Sequence, residues 1–156
     1  MKEKEKMTQG KVIELFITKD DENKTRLSVD AVSVDNLGFI GDKFRGKNLE
    51  RSILLTSTDS YEITKNNNIH ISTGTLGENI LIDVNPYHLV RGNQLQIGAT
   101  ILEVTQNCTL CKGLSTVDSK LPKLLKNDRG VFVKVVSSGT SNIKVGDAVK
   151  ILNGNY

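Results

Sequence analysis

Short runs of alternating or wholly apolar residues recur along most of the chain, with glycines standing between them. That rhythm fits a sheet-rich fold. Residues 11–18 open the series, and residues 29–34 alternate cleanly between apolar and polar. Residues 51–56 carry the continuous apolar centre of a strand buried on both faces. Residues 79–83, 94–97, 100–106, 131–136 and 148–152 complete the set. Gly92, Gly98, Gly139 and Gly146 fall at the expected turns, where a positive φ costs glycine little. Gly98-Ala99 and Gly146-Asp147 each divide two apolar stretches, as tight connections in a curled sheet do. Many short strands with few helices predict a mainly β chain, a single twisted barrel-like domain, because closure removes unpaired edges. An open sandwich carries the same pattern, and the topology stays open at this level.

Two segments leave the strand rhythm. Residues 57–65 offer cap residues followed by a short helical stretch. Residues 119–126 place Leu121, Leu124 and Leu125 on one helical face, with Pro122 in the first turn, where a missing N–H does no harm. A chain of 156 residues is one domain in the simplest reading, large enough for a core without disulfides. The domain is expected over residues 10–156, after a solvated tail over residues 1–9.

Composition narrows the function classes. Apolar residues make up 37% and charged ones 25%, and no apolar run is long enough for a membrane helix. The first ten residues hold no apolar signal core, so a cytoplasmic location is expected. Two cysteines fit a reducing compartment. A net charge of +3 does not by itself imply nucleic acid. Aromatic residues at 4% and the lack of Trp argue against base-stacking platforms. A local basic face for a small anion is compatible with all of this.

Cys108 and Cys111 stand where the strand pattern of residues 101–106 runs out into a basic stretch. Lys112, Lys120, Lys123, Lys126 and Arg129 follow, and nearby cations favour thiolate over thiol. A thiolate attacks, carries sulfur or binds a soft metal. Half of a zinc site is a competing reading, but only His70 and His88 remain to complete it, and no metal role is expected for either. A redox dithiol would open a helix in a thioredoxin-like unit, which this neighbourhood does not resemble. Two small packed thiols are the inert alternative. Residue types alone leave reactive and inert open.

Two loops have the composition to meet such a thiol. Gly38-Phe-Ile-Gly-Asp-Lys-Phe-Arg-Gly46 gathers glycines with Asp42, Lys43 and Arg45. Glycines let backbone N–H groups approach a ligand, and cations neutralise an anion. Solvated turn charges are the plainer reading of the same loop. Gly74-Thr-Leu-Gly-Glu-Asn-Ile80 is a second loop of this kind, with Glu78 and Asn79 as backbone-orienting caps before a strand. Asp128-Arg-Gly130 precedes the residue 131 strand and offers a way to return Arg129 toward the cysteines.

Taken in order, these segments resemble the MOSC domain, the module at the C-terminal end of molybdenum cofactor sulfurases. Gly38-Phe-Ile-Gly-Asp-Lys43 is followed by Arg51-Ser-Ile-Leu-Leu-Thr56 and Gly77-Glu-Asn-Ile80. Next come Leu95-Gln-Ile-Gly-Ala-Thr-Ile-Leu-Glu-Val-Thr-Gln106, the cysteines, Arg129-Gly-Val-Phe132 and Val145-Gly-Asp147. The likeness spans Gly10 to Leu152, and Gly-Glu-Asn-Ile with the Leu-Glu-Val-Thr-Gln run are its more specific parts.

The resemblance implies a twisted β-barrel-like fold with a few helices, the molybdenum cofactor (molybdopterin) as ligand, and one cysteine as sulfur carrier or as thiolate ligand of molybdenum. By position that cysteine is Cys111, with Cys108 as a helper or second candidate. Cys111 is expected to be the more exposed and more acidic thiol. Gly41, Asp42, Lys43, Arg45, Glu78, Asn79 and Arg129 are expected to line one cleft with it, the cations neutralising the pterin phosphate. Phe44 stands where a common family form has His, which leaves a His-assisted step without its residue. The sequence resembles a compact, stand-alone bacterial-type member. No pyridoxal phosphate site is identified in it, so a persulfide would come from a partner cysteine desulfurase. Cofactor biosynthesis or acceptor proteins are the other implied partners. The expected function is sulfur carriage or molybdenum-cofactor binding. A molybdoenzyme reducing N-hydroxylated compounds and a non-catalytic cofactor adaptor are the alternatives.

Overall fold

β1 (Gln9–Thr18) is the strand that closes the sheet. In the computed structural model, which describes residues 9–108, 114–137 and 142–152, its first residues pair with β11 (Ala148–Leu152). Its middle pairs with β6 (Ile80–Ile82) and its end with β2 (Arg26–Val29), all antiparallel. A register shift between Val12 and Glu14 marks a bulge in the pairing with β6. Bulges bend a strand and increase its twist, which suits a strand that must reach two neighbours in succession.

From β11 the order runs through β7 (Gln94–Ile97), β8 (Thr100–Asn107), β9 (Val131–Ser137), β5 (Ile53–Ser57) and β6 back to β1. Seven strands therefore form a closed barrel, the architecture expected from the strand rhythm. Closure leaves β2 as the one strand of this sheet outside the ring. β5 and β6 run parallel, and a parallel pair needs a long crossover. That crossover holds α1 (Thr58–Asn66), N-capped by the Ser57 side chain, which accepts from the Asp59 N–H at 3.0 Å.

A second, small sheet joins β3 (Ala31–Asp35) to β4 (Gly38–Phe39) and to β10 (Asn142–Lys144). Its Val32, Val34, Phe39 and Ile143 enter the same apolar core as Leu15, Ile53, Leu55, Ile80, Leu102 and Val133 of the barrel. The segment read from sequence as one strand over residues 29–34 is thus broken at Asp30, which separates two sheets. A 3-10 turn (Leu49–Arg51) precedes β5. The second helical expectation is met by α3 (Leu121–Leu124), with Pro122 in its first turn, and α2 (Leu114–Val117) lies just before it. These helices pack Leu114, Leu121 and Leu125 against Ile69 and Leu76 in a separate apolar cluster.

A third cluster matters most for function. Leu54 and Phe132 are register partners across β5 and β9, next to residues whose side chains fill the barrel. Alternation turns these two outward, where they pack with Cys108 rather than with the core. Gly130 lets the two segments meet: a Cβ there would lie 2.9 Å from the Leu55 carbonyl oxygen and from Thr56 Oγ1. The outer wall of the barrel thereby becomes an apolar floor for a surface cavity.

Candidate functional site

A cavity of about 520 Å³ opens over this floor. Its size falls within the usual range for a small-molecule site. Leu54, Cys108, Phe132 and Phe44 supply the apolar surface, and Thr18, Asn48 and Asn79 add neutral polar groups. Arg26, Lys47, Arg51 and Arg129 also line it, and among the described residues no acidic one does.

Arg26 opens β2 opposite Thr18. Its guanidinium donates to Thr18 Oγ1 at 2.9 Å and to the backbone carbonyl of Glu78, and it lies over the Phe16 ring at 5.3 Å. Burial pulls its pKa below the ordinary arginine value, while the charges of Glu78 and Asp42 act in the opposite direction. Arginine remains charged under such conditions. Among the described residues no carboxylate forms a direct ion pair with it, so it is a partly buried cation held by neutral acceptors.

The other cations reach the cavity by different routes. Arg51 ends the 3-10 turn, whose start is fixed by Asn48 Oδ1 accepting from the Glu50 N–H at 3.0 Å. Lys47 lies 4.0 Å from Asp20, an exposed pair of little energetic weight. Arg129 directs Nε and Nη2 to the Leu76 carbonyl at 3.2 and 3.0 Å. Two nearby carboxylates are engaged with other cations. Glu50 pairs with Arg91 and Lys134, and Asp35 pairs with Arg45.

Asn79 ties the walls together. Its Oδ1 accepts from the Leu54 N–H at 2.9 Å, and its Nδ2 donates to the Phe16 carbonyl at 3.2 Å and to Asp42 Oδ1 at 3.3 Å. Its backbone adds bonds to the same two strands: its N–H donates to the Leu54 carbonyl, and its carbonyl accepts from the Phe16 N–H. One side chain thus bridges β5 and β1 where the β5–β6 pairing begins. Asp42, buried, accepts from the N–H groups of Thr18 and Phe44 as well, and so anchors the residue 38–46 loop to the cavity rim.

Of the residues singled out from sequence, Cys108, Asn79 and Arg129 line the cavity. Asp42 stands one layer behind, through Thr18 and Asn79. Gly41, at φ 96°, turns the chain just before it. Glu78 is fully buried and faces Tyr61 and Gly74 rather than the cavity. Lys43 lies over the Phe44 ring at 5.1 Å, so its partner lines the cavity and it does not. Arg45 turns away to Asp35. Cys108 is only 3% exposed, and its N–H donates to the Gly130 carbonyl. Cys111 lies outside the described residues. His70 and His88 are exposed.

Arg26, Lys47, Arg51, Thr18 and Asn48 were not among the expected residues. The available signal for Arg26 was slight: residues 25–29 extend the alternation of the strand that follows. Arg51 stood in plain view at the head of the residue 51–56 segment, but as the start of a strand instead of the end of a turn.

The described donor set fits an anionic ligand with a flat ring whose faces can stack on apolar side chains and whose edges meet Thr18, Asn48 and Asn79. Among the described residues, cations and no carboxylates line the cavity, and aromatic and aliphatic faces form part of its wall. A phosphate-bearing pterin has that chemistry, so the molybdenum cofactor is compatible with the residues present.

A family model for the MOSC domain matches residues 41–150. A search of curated proteins returns no significant sequence match. Among solved structures, the YuaD protein of Bacillus subtilis superposes with a TM-score of 0.77 at 17% identity, covering 93% of this chain and 96% of that one. YiiM of Geobacillus stearothermophilus gives 0.70 at 14% identity, with coverages of 92% and 75%. YiiM of Escherichia coli gives 0.67 at 17%, with coverages of 94% and 70%. At such identities the likeness is one of fold.

Proposed function

Because this chain belongs to the MOSC domain family, which is associated with the molybdenum cofactor, we propose that it binds that cofactor and uses a cysteine for sulfur transfer or metal ligation. The observation that carries the reading is a cavity without acidic lining among the described residues, where two half-buried arginines and two further cations face a wall containing Cys108. When bound, the cofactor supplies a molybdenum centre with a soft affinity for thiolate. Arg26, Arg51, Lys47 and Arg129 neutralise the phosphate, with the planar guanidinium groups giving two-point contacts. Phe44, Leu54 and Phe132 would offer apolar faces to the ring system of the bound cofactor.

The cysteine chemistry is assigned to Cys111, with Cys108 in support. In sulfur carriage the Cys111 thiolate attacks the terminal sulfur of a donor persulfide. A new S–S bond forms on Cys111, the donor S–S bond breaks, and the donor leaves as its thiolate. Cations around the cavity favour the thiolate that starts this exchange.

Incubation with a cysteine desulfurase and cysteine, followed by alkylation and intact mass measurement, tests this assignment. The expected result is one added sulfur on the wild type and on Cys108→Ser, and none on Cys111→Ser. Addition that survives Cys111→Ser and vanishes in Cys108→Ser would move the role to Cys108. No added sulfur in any variant would remove the carrier role altogether.

A further inference from the structure

Arg129 donates through Nε and Nη2 to the Leu76 carbonyl in the adjoining loop. The turn that carries Leu76 is fixed from beneath. Gly74 and Gly77 both take positive φ, 90° and 89°, a conformation open to glycine. A Cβ on Gly74 would lie 3.0 Å from the Phe16 ring, and one on Gly77 would lie 3.6 Å from Arg129 Nη2. The turn is therefore pressed between the Arg26–Phe16 pair and Arg129.

Glu78 pins this turn with its side chain. Its Oε2 accepts from the Tyr61 hydroxyl at 2.7 Å and from the Gly74 N–H at 3.0 Å. Tyr61 Oη in turn accepts from the Gly74 and Leu76 N–H groups at 3.0 and 3.3 Å. Burial first, and then the Glu78 charge, push the Tyr61 phenol well above its usual range, so it keeps its proton and stays a donor. The second carboxylate oxygen, Oε1, is buried and has no hydrogen-bond partner among the described residues. Among the described residues the carboxylate acts through Oε2 alone.

We infer that the Glu78 carboxylate, with Tyr61, is a positioning device for Arg129: it fixes the Gly74–Gly77 turn so that the Leu76 carbonyl aims this arginine at the cavity. Glu78 does not touch the ligand. Its own backbone carbonyl accepts from Arg26 on the opposite side, a contact that does not use the side chain. None of its side-chain hydrogen bonds reaches Arg26, on which the carboxylate acts through its charge, so Glu78→Gln, which removes that charge and keeps an accepting oxygen, separates the two effects. The inference rests on the reading of the cavity as an anion site.

Isothermal titration with inorganic pyrophosphate tests it on the full chain. Arg129→Ala and Glu78→Ala are each expected to weaken binding by about tenfold, the scale of one charge-assisted contact. The double variant should bind no more weakly than Arg129→Ala alone, because Glu78 works through Arg129. Glu78→Gln keeps an accepting oxygen for Tyr61 and Gly74 and should restore binding. The slope of affinity against salt should fall equally in Glu78→Ala and Arg129→Ala, which a loss of stability alone would not produce. If Glu78→Ala does not fold, Tyr61→Phe removes the same link and should weaken binding in the wild-type background but not beside Arg129→Ala. A wild type that binds no pyrophosphate overturns the anion reading and this inference with it. A wild type that binds, with Glu78→Ala unchanged or additive to Arg129→Ala, overturns the positioning role alone.

Discussion

Arg26→Ala is expected to lower the affinity of the cavity for inorganic pyrophosphate by about 30- to 100-fold, the largest single loss among its cations. Hydrogen bonds to a charged group contribute about 1.5–3 kcal/mol each, and about 1.4 kcal/mol is a tenfold change in affinity. Arg26 should reach the upper part of that range. It is the cavity cation held over an aromatic face by neutral acceptors, with two carboxylates in the next layer and none in direct contact. A ligand anion therefore meets a charge that is already oriented and not already paired. Arg26→Lys should recover only part of the loss, because ammonium cannot reproduce the planar two-point contact. Lys65→Ala, on the exposed face of α1, removes one positive charge far from any cavity contact and controls for net charge. A change below threefold for Arg26→Ala would show that the anion is not bound there.

Phe39→Ala carries the largest expected cost in stability, about 3–5 kcal/mol, typical of removing a buried aromatic ring. Phe39 is fully buried and belongs to a strand of two residues, so it is the main contact by which that strand is held. It also docks the small sheet onto the barrel core. Domains of this kind are stable by about 5–15 kcal/mol, so the loss is a large part of the total. Urea unfolding should show a lower midpoint with an unchanged slope. A shift of less than about 1 kcal/mol would mean that the small sheet is not packed as described.

The barrel was legible because a period of two is a local property. Residues 94–97, 100–106 and 148–152 alternate or run apolar within themselves, and the observed strands coincide with them to within a residue. The pieces that escaped are those whose strand state depends on distant partners. β4 has two residues, and β10 is read only through its pairing with β3. The break at Asp30 between two sheets shows in the sequence only as the adjacent apolar pair Ala31-Val32, a slip of the two-residue period too slight to end a strand by itself.

The cavity followed the same division. Gly77-Glu-Asn-Ile80 stood out as a motif, and Asn79 does bridge two strands at the cavity wall. Which cations face the cavity was not a local matter. Arg45 is taken by Asp35, ten residues earlier and across a turn. Arg26 reaches the site only because β2 pairs with the end of β1. Composition in a loop says which charges are present, and pairing elsewhere in the fold decides which remain available.

The most direct measurement is the molybdenum and pterin content of the protein purified from cells that make the cofactor. Near-equal molar amounts of metal and pterin are predicted for the wild type. Both should be lost together in Arg26→Ala/Arg51→Ala, with the fold retained by circular dichroism. A cofactor-free wild type that also fails to take up the cofactor on reconstitution, or a double variant that carries as much as the wild type, would contradict the assignment of this cavity.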